Sequence, residues 1–314
     1  LGQGGTLGNE PVEVDLAAGR PRGRRGSGQV WAAMLDPAET FEHVIRSEAD
    51  DEARAARILA NRLFTNLSTS LSGTNEYMAA ERLHQLHGDR RFDRVIIDTP
   101  PSRHAFDFLD SPGRLTRFVD HRLYRSVFAR KPRLLRPINA GTQVVMRLLG
   151  RLVGTTLVDD VVSFFADFEG LDEGFRRRAD EIETLLTGPE TGYILITGPR
   201  RDRLAEAEWI LGNLGRRQRR LDAVVVNRVM PIDLGRAAEA LSRSPADAEQ
   251  AALHQNLAEL ATLAEQEAVL IDSVTAMVGR ELDQPAESVA LVTLAEQRRP
   301  VRDLAGLHRL AELF

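Results

Sequence analysis

Four short apolar runs, each continuous rather than alternating, constrain the fold of this 314-residue chain more than any other feature. Continuous runs of this length are typical of strands that are buried on both faces of a parallel sheet. Helical patterns at 205–214 and at 234–279 separate the later runs. Strands that alternate with helices predict an α/β fold with a doubly wound, mostly parallel sheet. The four runs are RVIID (94–98), YILIT (193–197), AVVVN (223–227) and VALVTL (289–294).

A long segment without such a run lies between the first and second of these predicted strands. Ser111 followed by Pro112 is typical of a helix start, because a serine hydroxyl caps the first free amides and proline fits the first turn. Long apolar helical patterns follow, among them 144–154. Their apolar face fits either packing on the domain's own core or a groove for a client. We therefore expect an inserted helical lobe over 111–186, between an N-terminal part (1–110) and a C-terminal part (187–314) of one α/β domain.

The composition excludes several classes of function. Acidic residues (46) outnumber Lys and Arg (41), so the net charge of −5 implies no general attraction to nucleic acid. The chain contains no cysteine, which excludes a thiol nucleophile, a cysteine zinc site and thiolate capture of arsenite. It has neither an apolar run of transmembrane length nor a signal-peptide pattern at its start. The cytoplasm is the expected location.

Asp98 stands at the end of the first apolar run, at the edge where doubly wound sheets bind ligands. In P-loop enzymes such an acid holds Mg²⁺, directly or through water, and the turn behind it responds to the γ-phosphate. Here Thr99 and Ser102 offer hydroxyls, while Pro100 and Pro101 restrict the backbone. An aspartate that ends a strand is also a common structural feature. The strand alone therefore leaves a catalytic and a structural role open.

The string that begins at Asp98 resembles the second switch of the arsenite-transport ATPase (ArsA) family, which also contains ATPases that deliver tail-anchored membrane proteins. That switch has the form D-T-[AP]-P-[ST]-x-[HN]-[AT]-L. It is matched by Asp98, Thr99, Pro100, Pro101, Ser102, His104 and Ala105, with Phe106 in the leucine position. Further segments resemble the actinobacterial branch of the family: 7–16, 33–45, 58–86, 106–123, 164–179, 223–231 and 303–314.

The resemblance implies an ATP hydrolase with ATP and Mg²⁺ as cofactors. Asp98 would hold Mg²⁺ through a water molecule, and Thr99, Pro100, Pro101, Ser102 and His104 would form the switch segment. Asn227, at the end of AVVVN, would lie against the adenine base with Arg228 beside it. The string ITGPRRD (196–202) carries Arg200 where the family often has an acid, which weakens any role for that loop.

The phosphate-binding loop of the family, G-K-G-G-[VT]-G-K-[ST], has no counterpart in the sequence. Such a loop cradles phosphates with backbone amides and neutralises them with lysine. The nearest candidate, LGQGGTLGNE (1–10), has glycines but no lysine, and the chain's single lysine, Lys131, lies in ARKPRLL. We expect the P-loop and the first strands to lie outside this sequence. We also expect that residues 1–314 alone neither bind ATP tightly nor hydrolyse it.

Two functions remain open from the sequence. The first is an ArsA-like ATPase subunit that couples ATP hydrolysis to movement of the helical lobe, as a homodimer or as a heterodimer with an ArsA-like paralogue. Its client would be a hydrophobic polypeptide or a membrane protein. The second is a catalytically inactive regulatory subunit that pairs with a complete paralogue. A partition ATPase fits less well, because such proteins lack a large helical insertion after the switch strand.

Overall fold

The computed structural model of the chain describes residues 7–15, 28–61, 74–99, 103–120 and 171–313. The chain forms two compact units. The helical unit comprises Gly4–Glu13 and Trp31–Leu186, and the sheet unit comprises Leu1–Gln3, Val14–Val30 and Thr187–Phe314. The proposed division into 1–110, 111–186 and 187–314 stays a prediction.

The described strands are β1 (Val12–Val14), β2 (Val30–Ala32), β3 (Tyr193–Thr197), β4 (Leu221–Val229) and β5 (Ala290–Ala295). The described helices are α1 (Pro37–Glu48), α2 (Glu52–Ala60), α3 (Thr74–Gly88), α4 (Arg103–Asp120), α5 (Leu171–Thr187), α6 (Arg201–Arg216), α7 (Leu234–Leu241), α8 (Ala248–Glu281) and α9 (Leu304–Ala311). A short 3₁₀ turn, Ala286–Ser288, precedes β5.

A three-stranded parallel sheet in the order β3-β4-β5 organises the sheet unit. The prediction of a mixed α/β fold with parallel strands is therefore confirmed, and each strand coincides with one of the apolar runs. Val224 and Val226 of the central strand are buried, and so is Leu195, which pairs with Val224. Ile194 and Ile196 on the other face of β3 are exposed. Burial on both faces thus holds for the central strand but not for β3.

Helices connect these strands as their apolar periodicity predicts. The long pattern at 234–279 is divided into α7 and α8 by a break that contains Pro245, because proline disfavours helical backbone at the residue before it. Asp247 starts α8 by accepting a hydrogen bond from the Gln250 amide at 2.8 Å. Gly215 allows a close approach of α6 to the end of α8, since a Cβ there would lie 2.0 Å from the Glu281 carbonyl oxygen.

A buried asparagine attaches the N-terminal segment to the helical unit. The Asn9 side chain donates to the Asp36 carbonyl (3.1 Å) and to the Thr40 hydroxyl (2.9 Å), and it accepts from the Asp36 amide (2.7 Å). Asp36 in turn caps α1 by accepting from the Ala38 and Glu39 amides. The start of α1 is therefore held from both sides by polar groups.

The segment RVIID, predicted as a buried parallel strand, is not a strand in the structure. Residues 94–99 lie outside every described strand, and the Ile96 side chain is 93% exposed. An apolar run becomes a strand only where a neighbouring strand accepts its backbone hydrogen bonds and its side chains are covered. The described strands supply neither for this run, so the prediction is wrong for these residues.

Ser111 does not start a helix, contrary to the expectation from the Ser-Pro pair. Helix α4 runs without interruption through Ser111 and contains Pro112 in its interior. Proline lacks the amide that would bond to the carbonyl four residues earlier, which here is that of Phe108. The Ser111 hydroxyl donates to this carbonyl at 2.7 Å instead. The pair therefore repairs the helix rather than beginning it.

Candidate functional site

The carboxyl ends of β3, β4 and β5 meet at one edge of the sheet unit, because parallel strands all run in the same direction. Two contacts shape this edge. The Glu296 amide donates to the Val229 carbonyl at 2.8 Å, and the Thr197 hydroxyl donates to the Arg203 carbonyl at 3.2 Å. This edge is where open α/β sheets bind ligands, and it is the position that the sequence predicted for Asn227.

Asn227 and Arg228 form an irregularity near the end of β4. The register shifts between Asn227 and Val229, so that Arg228 is an extra residue in the strand, and its φ of 63° is left-handed. Such a conformation costs about 1–2 kcal/mol for a residue with a Cβ. The Asn227 Oδ1 accepts from the Arg228 amide at 2.9 Å and stabilises the bulge.

Asn227 and Arg228, which the sequence predicted to lie beside adenine, are both exposed at the carboxyl edge of the sheet. The Asn227 Oδ1 already accepts one backbone hydrogen bond, but it has a second lone pair, and the Nδ2 group donates to no described residue. A side chain in this state offers a donor and an acceptor to a planar polar ligand. The Arg228 guanidinium adds a flat cation beside it.

The loop between β3 and α6 shows no specialised anion contact. Arg200 precedes α6 without capping it through its side chain, and its Nε lies 3.2 Å from the Asp202 carboxylate. An Arg–Asp pair at this exposed position neutralises itself. The departure from the family's acidic residue thus leaves the loop without a role of its own in the described contacts.

Asp98 and Thr99 belong to the helical unit, where both are exposed on the non-strand segment 94–99. Pro100, Pro101 and Ser102 lie outside the described residues. Arg103 begins α4, so the backbone of His104 is helical, while its side chain lies outside the described part. The structure thus presents Asn227 and Arg228 together in one unit, and Asp98 in the other.

The described residues do not complete a site for Mg²⁺ and ATP. They include no lysine, because Lys131 falls outside them, and no group of three metal-binding side chains occurs among them. Asp98 alone is one exposed carboxylate, whereas a bound Mg²⁺ is normally held by a carboxylate together with substrate phosphates. Of the residues that the sequence predicted for such a site, the structure describes Asn227, Arg228, Asp98 and Thr99, and it describes no lysine that could contact phosphate.

A second polar cluster, which the sequence did not reveal, lies inside the helical unit. The Glu81 carboxylate is fully buried and accepts from Arg178 Nη1 at 2.6 Å. Arg178 also donates to Glu48 (2.7 Å) and to the Ser47 hydroxyl (2.9 Å). These contacts join α1, α3 and α5. Helical periodicity shows which face is apolar, but it does not show which buried acid meets which arginine.

Electrostatics in this cluster favour the charged pair and the neutral tyrosine. Partial burial would lower the pKa of the Arg178 guanidinium, but its bonds to Glu48 and Glu81 outweigh burial and raise it. Burial, reinforced by the Glu81 carboxylate, raises the pKa of Tyr77 far above its usual value. Within the described part of the chain, neither the Tyr77 hydroxyl nor the Glu81 Oε2 has a hydrogen-bond partner. The cluster holds α1, α3 and α5 together, and one of its buried oxygens, the Glu81 Oε2, lacks a hydrogen-bond partner among the described residues.

The parallel sheet, with polar residues at its carboxyl edge and helices between its strands, defines the class of α/β proteins that bind ligands at that edge. Comparison with known families makes the assignment specific. The family model for the anion-transporting ATPases matches residues 28–260, about three quarters of the chain, and the chain belongs to this family. No curated protein matches the chain.

Two further findings concern the extent of the match and the membrane. The family match ends at residue 260, inside α8, so the second half of this helix and all of β5 lie beyond it. Among the helices that the structure describes, none combines the length and the apolarity that crossing a bilayer requires.

Proposed function

We propose that this protein is an ArsA-like ATPase subunit whose nucleotide state controls a helical lobe, and that residues 1–314 alone are inactive. The family match over 28–260 carries the first half of this proposal. The exposed Asn227–Arg228 bulge at the ligand-binding edge supports a nucleotide base on this side of the sheet. The lobe over 111–186 would hold a hydrophobic client or a membrane protein, and the protein would work in the cytoplasm.

The inactivity of the chain rests on its own chemistry. ATP carries several negative charges at its phosphates, and P-loop proteins balance them with lysine and with backbone amides of a glycine loop. The sequence offers one lysine, in a context unlike such a loop. Asp98 would hold Mg²⁺ through water beside those phosphates, with Thr99 to His104 as the responding segment. Without a phosphate-binding loop, Asp98 and residues 99–104 have no bound phosphate and Mg²⁺ to position.

A regulatory subunit is the second candidate, and one observation favours it. Among the described residues, no strand pairs with segment 94–99, and Ile96 and Asp98 are exposed, so the aspartate is not held where a catalytic metal ligand would need to be. Such a chain would act by pairing with a complete ArsA-like paralogue as a heterodimer. If the protein is instead an ArsA-like ATPase subunit, it would form a homodimer or heterodimer that closes around ATP.

Calorimetric titration of the 314-residue chain with ATP and Mg²⁺ tests the proposal. We expect no heat of binding in the micromolar range and no phosphate release above the blank. The Asn227→Ala variant serves as the control, because it should then give the same result as the unaltered chain. Micromolar binding that Asn227→Ala weakens would show that the chain is competent for nucleotide and would contradict the inactive state.

The two candidate functions are separated by adding a complete paralogue. A regulatory subunit should form a stable heterodimer with it and change its rate of ATP hydrolysis, while Asp98→Asn in this chain should leave that rate unchanged. If Asp98→Asn abolishes the added activity, the aspartate is part of a working site and the regulatory candidate is wrong.

A further inference from the structure

Helix α8 carries apolar residues along the side that packs on the core, and this side extends into the first half of the helix, where its leucines are exposed. The helix has 34 residues, and in its second half Val274 and Val278 are buried within the sheet unit. Residues seven positions apart, or a multiple of seven, lie on nearly the same side of a helix. Leu260 and Leu253 stand at these steps before Val274. The first half of α8 buries Ala261 and Ala264, whereas its leucines on the side of Val274 are exposed.

This side is apolar and exposed in the first half. The leucine stripe, as we name it, consists of Leu253, Leu260 and Leu263, which are exposed, together with Leu257, which is half-buried. Their separations of four, three and three residues follow one helix face. Such spacing is what the seam between two packed helices requires. On the described protein, only one side of such a seam is present.

The charges around the stripe all have one sign. No Arg or Lys occurs between Arg243 and Arg280, although the chain contains 41 such residues in 314. The same interval holds six acids. Glu249 and Glu259 are exposed and stand four residues before Leu253 and Leu263, so that each lies next to a leucine of the stripe. The six acids are Asp247, Glu249, Glu259, Glu265, Glu267 and Asp272.

Two of these acids have structural tasks: Asp247 caps α8, and Glu267 contacts the end of β4. The Glu267 carboxylate accepts from the Met230 amide at 2.7 Å, at the end of β4. The Glu259 carboxylate accepts only a 3.3 Å bond from Gln255 on the same helix. The charges beside the leucines are therefore not neutralised by basic side chains among the described contacts of Glu249 and Glu259.

We propose that the leucine stripe is the docking surface for a basic amphipathic helix of another polypeptide. An apolar seam needs a helix with leucine-like residues at matching spacing, and the acidic flanks select Lys or Arg beside those residues. A second copy of the chain would place acids against acids, and an anionic membrane would repel the same flanks. This surface lies on the sheet unit.

Fluorescence anisotropy with the full 314-residue chain tests the proposal. The probe is a labelled helical peptide of three heptads with leucine at the a and d positions and lysine at the e and g positions; its twin carries glutamate in place of lysine. We expect the lysine peptide to bind and the glutamate peptide to bind at least about tenfold more weakly. Raising the salt from about 50 to about 300 mM should weaken the lysine peptide further.

Matched variants decide whether the stripe itself binds. Leu253→Ala with Leu260→Ala should weaken the lysine peptide about tenfold or more, since buried apolar anchors dominate helix docking. Val269→Ala is the control, because Val269 is exposed on the same helix but lies half a turn away from Leu260. Glu249→Gln with Glu259→Gln should reduce the salt dependence, whereas Glu265→Gln should change the affinity less than about twofold.

Three outcomes would overturn the proposal. They are equal binding of both peptides, equal effects of the leucine pair and of Val269→Ala, and a dimer of the chain that Leu253→Ala with Leu260→Ala dissociates. The last outcome would assign the stripe to a second copy. Because the exposed leucines contribute little to the fold, circular dichroism of each variant should match that of the unaltered chain.

Discussion

Replacing Arg178 tests whether its ion pairs with Glu81 and Glu48 stabilise the helical unit. The Arg178 side chain is 15% exposed, and it is the described partner of the fully buried Glu81 carboxylate. Arg178→Met keeps much of the volume but leaves this carboxylate without its counter-charge. Breaking a buried pair from one side costs about 3–5 kcal/mol of unfolding free energy, because the remaining charge has lost both water and partner.

The neighbouring Arg177 provides the matched control. Its side chain is 60% exposed, and it contacts the same Glu48 carboxylate at 3.1 Å. An exposed pair of this kind contributes about 0–1 kcal/mol. Arg177→Met should therefore be nearly neutral. A double variant, Glu81→Leu with Arg178→Met, should recover much of the loss, since no buried charge is then left unpaired.

Urea unfolding followed by tryptophan fluorescence measures these differences. The chain has two tryptophans, of which Trp31 belongs to the helical unit and Trp209 to α6 of the sheet unit. In a Trp209→Phe background, the signal of Trp31 reports on the helical unit alone. Equal losses for Arg178→Met and Arg177→Met would refute the reasoning, as would a double variant that is less stable than Arg178→Met.

Two further predictions concern the same unit. Ser111→Ala should lower its unfolding free energy by about 1–3 kcal/mol, because the buried Phe108 carbonyl loses its donor. Ser47→Ala, at an exposed position, is the comparison, and an equal loss would argue against the role of Pro112. Tyr77 has a raised pKa in the folded state, so the stability that it contributes is complete below about pH 10 and falls as the pH rises further. Between pH 9 and pH 11 the unaltered chain should lose about 1.4 kcal/mol more than Tyr77→Phe does, and equal losses in urea titrations would contradict the burial of the hydroxyl.

The elements that were predicted correctly are those in which local pattern and tertiary environment agree. Beside the runs that became β3, β4 and β5, helices follow at short separation and cover the buried side, so apolar sequence and packing point to the same structure. Asn227 is at the expected strand end for the same reason. Its hydrogen bond to Arg228 was not predictable, because the bulge depends on the register with β5.

The errors arise where a pattern needs a partner that the sequence does not specify. RVIID has the composition of a buried strand, yet a strand requires at least one neighbour to pair with, and Ile96 remains exposed. Ser111-Pro112 has the composition of a helix start, yet the helix continues because one hydroxyl replaces the missing amide bond. Local propensity is a weak guide when one tertiary contact can outweigh it.

The sequence by itself determined the family, the α/β class, the order of the strands β3 to β5 along the chain and the acidic character of α8, because each depends on residue identity and spacing. Only the tertiary structure decided that the RVIID segment is unpaired, that Glu81 meets Arg178, and that the leucines of α8 are uncovered. Burial, pairing and exposure depend on which surfaces come into contact in the folded chain, and no single residue determines them.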